Sequence, residues 1–311
     1  MVCPISVNFT GELYLGRDDV CALTKLRNEI YVLSRASLYS VLRDISAFDD
    51  QYPFRCQMKI RIKEIESPID IESPADIVAS EKNNCVYVSD SAKNCVWKIT
   101  DDQHNIIKWL TTIHTPHTLS VSSDGQLLLV SRRSSSLMIY GSDAELIRYI
   151  QLSTDIDQLT HAVETSLGNF IILHQLMEKE DRWGSVGLRK RTRVMKWVVS
   201  ELSADGQTVI RRFIPSNEEQ TLSDPPCLSL GCDDQVFVSD SGEFSERGRG
   251  RVIVLDSDLK WNRILCSTRG GRDGIPYPNS LCYDEEKRQL IVGGSGPYSG
   301  TRVYIYTLSN K

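Results

Sequence analysis

Two groups of residues in this sequence have the types and spacing that chemistry needs. The first is His117, His161 and Cys227, which stand at equivalent places in successive sequence units, one residue after the proline that opens the unit or after its counterpart. Ala75 and Asn279 hold the same place in two further units. Imidazole and thiolate are borderline-soft donors, and three of them with one water describe a catalytic zinc centre. The plainer account is a set of polar side chains wetting an axial channel, and it is preferred. No cofactor is therefore expected, with zinc on His117, His161 and Cys227 as the alternative. His114, in His114-Thr115-Pro116-His117, is assigned to a loop.

The second group is basic. Segments expected to join second and third strands carry Arg35, Lys93, Arg132, Arg133, Arg189, Lys190, Arg191, Arg193, Arg247 and Arg249, with Trp183 and Phe244 among them. Arginine's planar fork of donors suits phosphate or carboxylate, so one rim rich in it favours an anionic partner. Glu178, Glu180, Asp181, Glu243 and Glu246 are interspersed and would neutralise part of that charge. Aromatic platforms for base stacking are sparse there. Gly187-Leu188-Arg189-Lys190-Arg191-Thr192-Arg193 reads as a flexible basic arm inside a loop spanning 174–193.

These side chains are positioned by a repeated phrase. Pro74-Ala75-Asp76-Ile77-Val78-Ala79, Cys85-Val86-Tyr87-Val88-Ser89-Asp90 and Cys95-Val96-Trp97-Lys98-Ile99-Thr100 are short apolar runs bounded by Asn, Asp, Ser and Lys. That pattern predicts antiparallel strands joined by tight turns. The phrase returns at Val236-Phe237-Val238-Ser239-Asp240 and Arg251-Val252-Ile253-Val254-Leu255-Asp256. Aligning the second strand of every unit places Tyr31, Tyr87, Leu129, Ile172, Phe237 and Ile291 together. The units cover about 20–66, 74–112, 116–152, 160–214, 226–267 and 278–308, spaced roughly as propeller blades are. The last has only three strands, and the extended stretch at 5–15 supplies its fourth. The expectation is one all-β domain over 1–311, a six-bladed β-propeller in which the N-terminal strand pairs with the C-terminal blade and removes the open edges.

Asp90 and Asp240 end strands just before tight turns, where an aspartate bonds backbone amides, so they are expected to be structural. No phosphate-binding glycine loop, no nucleophile elbow and no His-Glu-x-x-His helix occurs. With 41% hydrophobic residues among 311, the chain can bury a large core, and its formal charge of −5 argues against a wholly basic nucleic-acid binder. Nine cysteines cannot all pair within one chain. The N-terminus lacks the pattern of a secretory signal, and no apolar run approaches the ~18 residues of a membrane span. A cytoplasmic protein without membrane contact is expected, most of its cysteines serving as small core hydrophobes.

Pro278-Asn279-Ser280-Leu281-Cys282-Tyr283-Asp284 followed by Leu290-Ile291-Val292-Gly293 resembles the NHL repeat, as do the segments from Val86 to Val96 and from Val236 to Gly242. The resemblance is good in the second, fifth and sixth units and loose elsewhere; the fourth has Leu173-His174-Gln175 where the others have Ser-Asp. NHL propellers serve mostly as platforms for RNA or protein, often as the C-terminal part of tripartite-motif proteins. No Cys/His cluster with RING or B-box spacing is present, so no ubiquitin-ligase activity is expected of this chain. The His117, His161 and Cys227 set is similar to that of the peptidyl-amidating lyases, propellers that hold zinc on successive blades. The expected function is a non-catalytic recognition platform binding single-stranded RNA or an acidic protein segment on the Arg-rich rim. The alternatives are a protein-protein scaffold without nucleic acid and a zinc-dependent lyase or hydrolase in the channel. No obligatory oligomer is expected, since a closed ring protects its own edges.

Overall fold

A computed structural model describes residues 5–16, 20–27, 29–34, 38–44, 59–64, 71–100, 105–131, 135–153, 156–183, 189–217, 220–222, 227–241, 250–267, 275, 277–296 and 300–310. Among them the strands make six four-stranded antiparallel sheets. In chain order these are β2 Val20–Leu26, β3 Glu29–Ser34, β4 Leu38–Asp44 and β5 Lys59–Glu64; then β6 Pro74–Ser80, β7 Cys85–Asp90, β8 Cys95–Thr100 and β9 Ile106–Thr111. The third sheet is β10 Pro116–Val121, β11 Leu127–Ser131, β12 Ser136–Tyr140 and β13 Leu146–Gln151. The fourth is β14 Ile156–Glu164, β15 Phe170–Trp183, β16 Arg189–Leu202 and β17 Val209–Phe213. The fifth is β18 Leu228–Leu230, β19 Val236–Asp240, β20 Arg251–Leu255 and β21 Trp261–Ser267. The sixth joins β22 Pro278–Asp284, β23 Gln289–Gly296 and β24 Gly300–Asn310 to β1 Ile5–Gly16, which pairs antiparallel with β24.

The fold is an all-β propeller. Its logic is visible in burial. Second strands are buried on both faces, as in all of β7, β11 and β19, because each sheet is sandwiched between two others. Outer strands are wet: Ile107 of β9 and Leu146, Ile147 and Tyr149 of β13 are exposed. The core is a ring of clusters, one at each junction between neighbouring sheets. Tyr31 and Leu33 meet Val86 and Val88, for example, and Leu23 and Val32 meet Ile291 and Val303 across the closure. Tyr31, Tyr87, Leu129, Ile172, Phe237 and Ile291 are each at most 1% exposed, so the aligned column is fully buried between sheets.

First strands touch in cyclic order and form the inner wall. Side chains staple four of the six neighbouring pairs. The Ala79 amide donates to Thr24 Oγ1 at 3.0 Å and the Leu119 amide to Asp76 Oδ2 at 2.7 Å. Ser120 Oγ donates to the Ala162 carbonyl at 2.6 Å, and the Leu23 amide to Ser280 Oγ at 2.8 Å. Each bond satisfies a group on a strand edge that the sheet's own ladder leaves unpaired.

Asp90 has the structural place foreseen for it. Its carboxylate accepts from the Glu72, Ser73, Ala92 and Lys93 amides at 3.0–3.2 Å and from the Trp97 indole at 3.3 Å. Burial opposes its ionisation, but these donors outweigh it and hold the carboxyl below its ordinary range. Asp240 pairs with Arg251 at 2.9 Å. Where the fourth unit lacks Ser-Asp, buried His174 sits between Ser200 Oγ at 2.9 Å and the Gln175 carbonyl at 3.0 Å.

One expected loop is strand. Instead of looping over 174–193, β15 and β16 stay paired for 14 consecutive register positions, from Phe170 opposite Leu202 to Trp183 opposite Arg189. The flanking β14 and β17 are shorter, so the far half of this hairpin is a two-stranded ribbon without lateral partners in its sheet. A backbone ladder needs no buried face to continue, and hydrophobic patterning therefore understated its length.

Candidate functional site: the axial cavity

The inner strands enclose a cavity of about 920 Å³ on the propeller axis. All six contribute to it, through residues such as Leu23, Asp76, Leu119, His161, Cys227 and Ser280. Of the three expected zinc ligands, His161 and Cys227 line this cavity and His117 does not. His117 is instead a bulge residue: the register passes from Pro116 opposite Ser131 directly to Thr118 opposite Val130. Ala75 and Asn279 are skipped in the same way, in β6 and β22. A bulge moves the residue after it into the place that counting from the proline gives to the bulged one. In β6 the inward residue is thus Asp76, opposite Ser89, and in β22 it is Ser280. A carboxylate-bearing residue inside an otherwise apolar run was the signal that could have found Asp76 from sequence.

Asp76 is buried, and both carboxylate oxygens accept backbone amides: Ile77 on Oδ1 at 2.8 Å and Leu119 on Oδ2 at 2.7 Å. Its own amide donates to Ser89 Oγ at 2.9 Å. Burial wins over those two bonds and pushes its carboxyl up to about 7. His161 moves the other way. Burial, reinforced by neighbouring His117, holds it down to about 4, against a bond to the Leu119 backbone. It is thus a neutral imidazole near pH 7, and its Nδ1 is buried without a hydrogen-bond partner. Leu119 is the link between the two groups, its backbone bonded to both.

Cys227 carries a protonated thiol. Burial, with the Asp76 charge next in weight, pushes its thiol well above the ordinary range, and burial raises Cys282 to about 11. Among the described residues no group of three or more His, Cys, Asp or Glu is placed to hold a metal ion. Of the zinc alternative's residues, His161 and Cys227 thus stand in the cavity lining and His117 at a bulge beside it.

At the end of the cavity where the inner strands run into their first turns, Lys25 Nζ pairs with Asp284 Oδ1 at 3.2 Å. Arg27, Glu81, Glu164, Glu285 and Glu286 complete that mouth.

The Arg-rich rim fares differently. Arg35, Arg132, Arg133, Phe244, Arg247 and Arg249 lie outside the described residues. Lys93 is half-buried in the turn that Asp90 organises. Trp183, Arg189, Lys190, Arg191 and Arg193 have backbone places on the β15–β16 hairpin, Arg191 opposite Asp181 and Arg193 opposite Lys179. Cys85, Cys95, Cys227, Cys232 and Cys282 are free thiols, and Cys85 and Cys95 are buried, as core hydrophobes would be. Among the described residues no helix is long and apolar enough to cross a membrane.

No family model matches the sequence, so the NHL resemblance gains no support beyond the propeller architecture, and no curated protein matches it either. Solved structures do. Virginiamycin B lyase from Staphylococcus aureus is similar at a TM-score of 0.60 and 11% identity, over 98% of this chain and 100% of that one. A streptogramin B lyase structure is similar at 0.58 and 8%, over 98% of each chain, and Kuenenia stuttgartiensis hydrazine synthase at 0.59 and 16%, over 93% of this chain and 83% of the other. The expectation that the chain is not an enzyme is overturned here, because propellers similar over nearly its whole length include lyases. At such identities the likeness establishes the fold and leaves function to the site. The chain has the fold of a β-propeller, as these lyases have, with a buried carboxyl and a neutral imidazole on its axis.

Proposed function

We propose that this propeller takes a polar small molecule into its axial cavity, where Asp76 and His161 meet it and Asp76 can exchange a proton with it. One observation carries this: a carboxyl titrating near neutrality and a neutral imidazole whose Nδ1 has no hydrogen-bond partner line the same axial cavity. A group titrating near the working pH is what general acid–base chemistry requires, and burial of the groups strengthens each polar contact. In this assignment Asp76, titrating near neutrality, is the group that exchanges the proton, and neutral His161 is a polar neighbour of the bound molecule. Virginiamycin B lyase serves as a precedent for an enzyme on such a fold, and one of its solved structures carries quinupristin; no substrate is transferred from it. Each sheet is taken as one blade, and a cytoplasmic setting, consistent with the free thiols, is part of the proposal.

The test is a binding screen of polar fragments by ligand-observed NMR, followed by affinities for Asp76→Asn, His161→Gln and a plugged cavity, Ser229→Trp. Hits that weaken about tenfold or more in the first two variants and vanish in the third support the site. Hits indifferent to all three would sink it.

A second proposal concerns the β15–β16 hairpin, as an arm docking an anionic partner, single-stranded RNA in the first instance and an acidic protein segment otherwise. Its support is the ribbon that extends Arg182, Arg189, Lys190, Arg191 and Arg193 beyond the flanking strands. A labelled random RNA pool should bind tightly at low salt and lose affinity steeply as salt rises. An Arg189/Lys190/Arg191/Arg193→Ala variant should abolish that binding. No binding at low salt removes RNA and leaves a protein scaffold.

A further inference from the structure

The cavity mouth formed where the inner strands meet their first turns is acidic. Its lining includes Glu81, Glu164, Asp284, Glu285 and Glu286 against two cations, Lys25 and Arg27. An acidic rim alone is ordinary surface. What distinguishes this one is Asp284, which is only 3% exposed. Its Oδ1 receives Lys25 at 3.2 Å and the Lys287 amide at 3.2 Å, while its Oδ2 is buried with no hydrogen-bond partner. A buried carboxylate oxygen left without a donor is costly, and native structures rarely keep one without a reason. Asp284 is part of the cavity wall, where a rotation of its carboxylate would turn Oδ2 toward a bound group.

We infer that this mouth holds the cationic end of the cavity's ligand, an ammonium or guanidinium group that donates to Asp284 Oδ2 within the field of Glu285, Glu286, Glu81 and Glu164. The inference rests on the cavity being the ligand site. An anionic group would meet an excess of carboxylates and leave Oδ2 unsatisfied. A bare metal ion lacks a donor set among the described residues. A cationic nitrogen donor supplies both the missing hydrogen bond and the missing charge.

The experiment is calorimetric titration with spermidine as the cationic probe, citrate as the anionic one and glycerol as the neutral one, at low and at physiological salt. The variants are Asp284→Asn, which keeps the shape, the exposed pair Glu285→Gln/Glu286→Gln, and the plug Ser229→Trp. Spermidine is expected to bind, to weaken about tenfold in Asp284→Asn and again in the Glu pair, and to be lost in the plugged protein, while citrate does not bind. Spermidine binding unchanged in Asp284→Asn and in the plugged protein is surface association with an acidic chain and overturns the inference. If glycerol or citrate binds in a plug-sensitive way and spermidine does not, the cavity stands and the cationic assignment falls. If the plug alters no probe at all, both fall together.

Discussion

Asp76 and His161 respond to pH in opposite senses, and their opposition is measurable. The Asp76 carboxyl lies near 3.8 when unfolded and about 7 when folded, so between those values the folded state binds the extra proton and stability falls as pH rises. The His161 ring lies near 6.5 unfolded and about 4 folded, so over that range the unfolded state binds the extra proton and stability rises with pH. In the native protein the two slopes nearly cancel. Asp76→Asn removes one side, and its unfolding free energy should climb from about pH 4 to 6.5 relative to wild type. His161→Gln should show the reverse, falling between about pH 4 and 7. Each slope is bounded near 1.4 kcal/mol per pH unit. Urea unfolding at a series of pH values reads both, and parallel profiles for the variants and wild type would refute the assignment.

At the scale of elements, the hairpin β15–β16 and the inner-strand bulges show where local pattern stops being informative. Replacing 180–192 by an Asn-Gly turn between Lys179 and Arg193 keeps the part of the ladder that β14 and β17 flank. Since the ribbon it removes has no lateral partner in the sheet, the melting temperature should move by only about 2–4 °C, on the order of 1 kcal/mol. A much larger fall, read by calorimetry, would mean that the ribbon packs back onto the propeller. The aligned column from Tyr31 to Ile291 was legible in the sequence because each member sits in the middle of an apolar run, where hydrophobic period and burial coincide. Asp76 was passed over because a bulge at Ala75 breaks the period just where the cavity begins. Bulges are set by pairing with the neighbouring strand, and one strand's own pattern does not record them.

For the whole molecule, closure is the controlling feature. Strand β1 pairs with β24 at ten register positions, Ile5 opposite Asn310 through Gly16 opposite Thr301. At roughly 0.2–1 kcal/mol for each cross-strand pair, the closure contributes several kcal/mol and covers the edge of β24. A chain begun at residue 17 should therefore unfold several degrees or more below the full chain and self-associate through the bare edge, as light scattering would show. Adding back a peptide of residues 1–16 should restore the melting temperature. A truncated chain that melts with the full one and stays monomeric would remove closure from the account.

The sequence by itself determined most of the strands, their grouping into repeated units, the pairing of the N-terminal stretch with the last unit and the structural place of Asp90. All of these follow from short-range alternation and turn chemistry, which neighbouring residues encode. It also brought His161 and Cys227 to notice as channel residues. Only the tertiary structure decided that His117 stands outside the cavity lining, that Asp76 takes the inward place in its strand and that Asp284 keeps a buried oxygen without a donor. Those outcomes depend on registers, bulges and burial set by six sheets meeting on one axis, and contacts between residues 43 or 257 positions apart, such as Asp76 with Leu119 and Leu23 with Ser280, exist only once the ring is closed.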